Sequence, residues 1–168
     1  MKYVISDYVK SFSLDSKLWI FQSLDPLSKD EEFYISENIK QFFSSWNSHG
    51  SEIKSTSFII QSHFIFVIVD SNYSIASGCS VDNLFQKIKE IGNILNKDLL
   101  KRNFIPFKKP KKERINFLSF IDFKKYIKTN SFSNEIIIFD NSISILKDFQ
   151  NWQINIIDWK LKFIKNLT

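Results

Sequence analysis

The sequence predicts an α+β domain, with a ferredoxin-like β-α-β-β-α-β core over residues 17–107 and a C-terminal α/β extension. Three observations predict it. Two amphipathic runs at helical spacing, beginning near Ser28 and Ser80, alternate with four short apolar runs. One of those runs, FIFVIV at 64–69, is apolar at six successive positions, as suits a strand covered on both faces. Only Ser62 and His63 separate it from the run before, which is hairpin spacing.

The elements follow in order. KLWIFQS at 17–23 reads as the first strand, closed by the turn Leu24-Asp25-Pro26-Leu27. Ser28 with Glu31 three residues on is a capping box, and Ile35, Ile39, Phe42, Phe43 and Trp46 mark one buried helical face. His49-Gly50 supplies a stop for that helix. Strands at 53–61 and 64–70 form the hairpin. Ser80 then caps a second helix with Val81, Leu84, Phe85, Ile88, Ile91 and Leu95 on its apolar side. A strand at 104–107 completes the core. Right-handed crossovers predict that the first and third strands lie side by side and parallel. Gln22 and Ser23 would then approach Asp70 and the turn at 77–80. Residues 108–118 read as a solvated basic linker. The extension, 119–168, holds a helix at 119–128, a strand at 135–141 and an amphipathic helix from Ile143 to Trp152 or later. The whole reads as a single domain.

Composition narrows the function classes. With 168 residues the chain can bury a sizeable core. Its 18 phenylalanines suit codon usage in an AT-rich genome, so their number alone marks no stacking platform. One cysteine excludes an internal disulfide, and no Cys/His cluster has zinc spacing. The sequence implies no metal and no cofactor. No secretory signal and no uncharged apolar run of spanning length is legible, so a cytoplasmic chain with no membrane partner is expected. Charge is concentrated. Residues 97–128 carry 11 basic and 3 acidic side chains, a net of +8, whereas residues 1–96 carry 8 and 11, a net of −3.

Two segments can carry function. Ser77-Gly78-Cys79-Ser80 joins a strand to a helix N-terminus, where free N–H groups and the helix dipole favour an anion or a thiolate. Gln22, Ser23, Asp70 and Asp82 are supporting candidates. Cys79 before an N-cap at Ser80 also makes a hydrophobic staple with Leu84, which needs no chemistry. Nucleophilic catalysis by Cys79 requires a base, and in this topology neither His49 nor His63 is placed to reach it. The second segment offers Lys101, Arg102, Lys108, Lys109, Lys111, Lys112 and Arg114 as phosphate contacts, with Phe104, Phe107 and Phe117 nearby for stacking. An RNA or ribosomal surface is the partner this chemistry fits, and a solvated loop is the alternative.

The strings W-I-F-Q at 19–22, F-x-x-x-W-x-x-H-G ending at Gly50, and S-G-C-S-V-D at 77–82 resemble a set of small Bacteroidota proteins labelled "ABC transporter ATPase". Those proteins have S-G-C-S-I-D as their hallmark. The likeness covers about residues 17–107, and Asp98-Leu99-Leu100-Lys101-Arg102 fits a D-L-F-x-R that follows their second helix. It also implies a C-terminal serine-tryptophan-histidine triplet. Here Asp158-Trp159-Lys160 stands in its place, which removes the histidine. The label does not suit the residues: Gly50, Gly78 and Gly92 have no phosphate-loop spacing, which excludes a Walker-type ATPase. The expected function is a housekeeping binding protein. A small enzyme using Cys79 and a protein–protein adaptor are the alternatives.

Overall fold

The computed structural model describes residues 7–73, 75–129 and 135–164. It is an α+β structure whose residues group into two compact units: Met1–Lys101 with Ser142–Phe149, and Arg102–Asn141 with Gln150–Thr168.

The first unit opens with a short helix, α1 (Asp7–Lys10), and is built on a three-stranded antiparallel sheet in the order β1-β5-β4, with β1 at Lys17–Gln22, β4 at Ser55–Ile60 and β5 at Phe64–Val69. All six residues of β5 are buried, because each face has its own cover. Ile65, Val67 and Val69 meet α2 (Lys29–Phe43) and α3 (Gly78–Ile94) through Ile35, Ile39, Leu84, Ile88 and Ile91. On the other face, Phe66 stacks on Phe58 and meets Phe149 edge-on. Residues 142–149 return to this unit, with Leu18 N–H bonded to the Ser144 carbonyl at 2.9 Å and Leu146 N–H to that of Ser16 at 2.9 Å. Burial of each such side chain contributes about 1.5–3 kcal/mol.

Several expectations change here. β1 and β5 are adjacent but antiparallel, with Lys17 opposite Val69 and Gln22 opposite Phe64. The start of β1, not its end, therefore neighbours Asp70. The fourth expected strand, β6 (Phe104–Lys108), does not join this sheet, so a four-stranded ferredoxin-like sheet is not what the strands at 17–107 form. α2 keeps its capping box at Ser28 and Glu31 but stops at Phe43, six residues before His49. Residues 44–48, Ser-Ser-Trp-Asn-Ser, are poor helix formers, and the chain turns back into a short hairpin. Its strands are β2 (Asn47–Ser48) and β3 (Ser51–Glu52), and His49-Gly50 is their turn, both at positive φ. The helix after Asp70 begins at Gly78, with Ser77 as its N-cap.

The second unit is a four-stranded antiparallel sheet, β7-β6-β8-β9, with β7 at Ile115–Ser119, β8 at Ile137–Phe139 and β9 at Gln153–Asn155. Helices α4 (Phe120–Thr129) and α5 (Ile156–Phe163) supply Phe123, Ile127, Ile156 and Trp159 to its core. Pro106 is tolerated within β6 because β8 pairs only with Phe107 and Lys108. The segment read as a basic linker is thus the β6–β7 hairpin. A 3-10 helix at Leu146–Asn151 and α5 replace the single terminal helix expected from Ile143.

Candidate functional site

The turn at 77–80 is bound into the fold by its serines. Ser77 Oγ accepts the Ser80 N–H at 3.3 Å, so Ser80 is the third helical residue and not the cap. Ser80 is buried, and its Oγ lies 2.9 Å from the Asn47 carbonyl, to which it donates, and 2.8 Å from Ser77 Oγ. The Ser77 N–H donates to Ser48 Oγ at 3.2 Å, and Trp46 Nε1–H to the Ser80 carbonyl at 2.9 Å. The strings W-x-x-H-G and S-G-C-S therefore meet, through Trp46, Asn47, Ser48, Ser77 and Ser80. Sequence reasoning missed Asn47 and Ser48. Their one signal was that they lie between Trp46 and His49.

Cys79 is exposed, while Leu84 is fully buried, so the two form no staple. The reason is the shifted cap, which turns Cys79 onto the outer face of the first helical turn. Gly78 is exposed too, and with Cys79 it carries the first two N–H groups of α3. Asp82 is exposed one turn on. His49 does not end α2 as expected but lies in the β2–β3 turn, one residue beyond Ser48, whose hydroxyl bonds the 77–80 turn. His63 precedes β5, at the opposite end of that strand from the chain leading to the 77–80 turn.

Gln22, Ser23 and Asp70 do not join this turn. Gln22 Nε2 donates to the Lys101 carbonyl at 2.7 Å, and Ser23 Oγ to that of Asp25 at 2.6 Å. Both lie near the β4–β5 loop, where the Ser23 N–H donates to the His63 carbonyl at 2.8 Å and Leu27 N–H to that of Ser62 at 2.7 Å. These bonds hold Gln61 and Ser62 at φ 53 and 54, a strained conformation for non-glycine residues. His63 is buried, with Nδ1 donating to the Ser23 carbonyl at 2.8 Å. Burial lowers its pKa below the usual histidine value, against the pull of that carbonyl. Asp70 is buried against Lys54, with Nζ at 2.7 Å and the Asn72 N–H at 3.1 Å. Burial raises its pKa, but Lys54 and the Asn72 N–H outweigh that and leave it below the usual carboxylate value. Both oxygens of Asp70 are thereby used within the fold. Among the described residues, no group of three or more His, Cys, Asp or Glu could hold a metal ion.

The basic residues separate into two groups. Lys101 and Arg102 precede β6, at the far end of that strand from the hairpin tip. Lys109, Lys111, Lys112 and Arg114 are all exposed or half-buried at the tip itself. Lys108 is half-buried in β6, with Glu113 at 3.1 Å, and Lys109 Nζ lies over the Tyr126 ring at 5.5 Å. The Lys112 N–H donates to the Lys109 carbonyl at 3.1 Å, closing a turn with Pro110 second and Lys111 third at φ 56. That is the pattern of a type II turn, which favours glycine or asparagine where Lys111 stands. Phe107 faces the core cluster, so it is no stacking platform; Phe104 and Phe117 are half-buried on the other face of the hairpin, with Lys108.

Among the described residues, no helix is long and apolar enough to cross a membrane. Comparison with protein-family models, with curated proteins and with solved structures gave no match.

Proposed function

We propose that this chain is a cytoplasmic housekeeping protein that binds RNA, free or on the ribosome, through the tip of the β6–β7 hairpin. One observation carries this reading: the tip gathers Lys109, Lys111, Lys112 and Arg114 within six residues, and its single acid, Glu113, is taken up by Lys108. An exposed cationic tip can contact a phosphate backbone, and each phosphate it neutralises releases counterions. The strained position of Lys111 supports the same reading, since strain held at an exposed loop points to a role for the residue kept there. In this reading the turn at 77–80 holds the architecture, with its Gly78 and Cys79 N–H groups as the remaining anion contact. The test is a salt titration of binding to single-stranded RNA. Replacing Lys109, Lys111 and Lys112 by Gln should weaken binding and reduce the slope of log K against log salt by about 0.7 for each phosphate no longer neutralised. An unchanged slope removes the hypothesis.

A small enzyme using Cys79 is the second reading, and the exposed thiol on a turn bonded to Ser48, the residue before His49, favours it. The pH dependence of iodoacetamide alkylation of the native protein tests it. A nucleophile activated by that site needs an apparent pKa well below about 8.5, and a free-cysteine profile ends this reading.

A further inference from the structure

α4 and α5 leave a groove between them in the second unit, about 580 Å³ in volume. Ile127, Ile157, Leu161 and Ile164 line it, together with Lys124, Lys128 and Lys160. Ile127 is buried and forms its floor, while Ile157 and Leu161 are 47% and 50% exposed. The three apolar residues from α5 and its C-cap recur at i, i+4 and i+7, the spacing that keeps side chains on one face of a helix. Their neighbours Ile156 and Trp159 fill the core and Ile164 packs against it, whereas Ile157 and Leu161 lie outside that cluster, so their apolar surface is additional to what the core uses. The lysines come from both walls: Lys124 and Lys128 from α4, Lys160 from α5. Among the described residues, none of them forms an ion pair. The nearest acid on α5, Asp158, accepts from Asn155 at 2.8 Å.

We propose that this groove is the docking site for an acidic amphipathic helix of a partner protein. The apolar stripe of that helix fills the space between Ile127, Ile157 and Leu161, and its flanking carboxylates meet Lys124, Lys128 and Lys160. The shape and the charge select this occupant. A helix laid in a groove is read by anchors one or two turns apart, and Ile157 to Ile164 spans about 10 Å along the helix axis, the rise of two turns. Nucleic acid would satisfy the lysines but leave the apolar floor uncovered. A bilayer would cover the outer isoleucine and leucine, yet a recessed Ile127 cannot reach acyl chains from the floor of a cleft. Cations on both rims impose a negative partner and set its axis between the two walls. This site is separate from the β6–β7 tip, so each proposal can fail without the other.

The probe is a fluorescein-labelled synthetic peptide of about 16 residues, long enough for four turns. It carries Leu at i, i+3, i+4 and i+7 with Glu on both flanks, and its binding to the full chain is followed by anisotropy. Micromolar binding is expected. Reversal of all three rim lysines to Glu should weaken it about tenfold, as three partly exposed ion pairs disappear. The reversed protein should instead bind a second peptide in which Lys replaces Glu. Leu161→Glu should abolish binding of the first peptide, and Ile157→Ser should weaken it if the Leu161 variant unfolds. The uncharged variant Ile157→Ser should not alter the RNA salt slope. Absence of binding at a peptide concentration of about 100 μM, well above the expected Kd, overturns the proposal. Equal binding by wild-type and reversed proteins, or failure of the charge swap, overturns it as well. So does tighter, groove-dependent binding to phosphatidylcholine–phosphatidylglycerol vesicles than to the peptide.

Discussion

The N-terminus of α3 and the tip of the β6–β7 hairpin are both polar turns that stand out in the sequence, and the fold treats them in opposite ways. At α3 the polar groups are absorbed. Ser77, Ser80, Ser48 and Trp46 exchange hydrogen bonds with one another or with nearby backbone. At the hairpin tip they are left outward: the cations reach solvent and one of them, Lys111, sits in a backbone conformation that suits it poorly. The difference teaches that a motif of small polar residues can be consumed by architecture, whereas clustered like charges cannot be, because their burial costs more than a domain can offset. The exposed Cys79 falls between these cases, set on a turn whose serines are occupied while its own thiol faces outward.

Mutation can break this comparison at its strongest point first. Ser80→Ala removes the hydroxyl that the Asn47 carbonyl accepts from and leaves the Ser77 hydroxyl only the residue-80 N–H, and should cost about 1–3 kcal/mol in urea unfolding. A cost below about 0.5 kcal/mol, the range of ordinary surface substitutions, would mean that the turn is not structural. His63 gives the next largest effect, through pH. Its pKa is lowered in the folded state by burial, so the unfolded chain takes up the proton first as pH falls. Stability from this group is therefore present above about 6.5 and declines below it, at up to about 1.36 kcal/mol per pH unit. His63→Gln should flatten that decline on the acid side of neutrality, and an unaltered profile would show that burial of the His63 ring does not disfavour its protonated form.

Lys111→Asn sharpens the other side. Asparagine tolerates positive φ, so thermal unfolding should show a gain of several tenths of a kcal/mol. RNA affinity should fall in the same variant. A gain in stability with undiminished affinity would leave the strain unexplained by phosphate binding. Cys79→Ser should have the smallest effect, within about 0.5 kcal/mol, because the side chain is exposed and makes no core contact. A cost of about 1 kcal/mol or more, typical of a packed position, would restore the staple with Leu84.

Local chemistry was legible in the sequence. The Ser28–Glu31 capping box, the six-residue apolar strand at Phe64–Val69 and the start of α4 near Ser119 each follow from patterns within a few residues. The net charge of the 97–128 segment was equally plain, since charge survives any fold. The side-chain set at the 77–80 turn was legible too, but its register was not. Ser77 and Ser80 are both good caps, and only the Asn47 carbonyl, 33 residues away in sequence, selects Ser77 by engaging Ser80.

Strand partnership was decided by tertiary structure alone. β6 could have closed the first sheet by its apolar character. It pairs instead with β7, because residues 109–114 bring the two strands into register from Phe104 opposite Ser119 to Lys108 opposite Ile115. The antiparallel pairing of β1 with β5 likewise reflects covers for both faces, supplied from α2 and α3 on one side and from residues 142–149 on the other. The sequence by itself determined which residues seek burial, which cap a helix and where charge gathers. The structure decided which distant groups complete each polar turn, because hydrogen bonds and sheet edges are satisfied by whatever partner the packed chain brings within about 3 Å, and no local pattern records that choice.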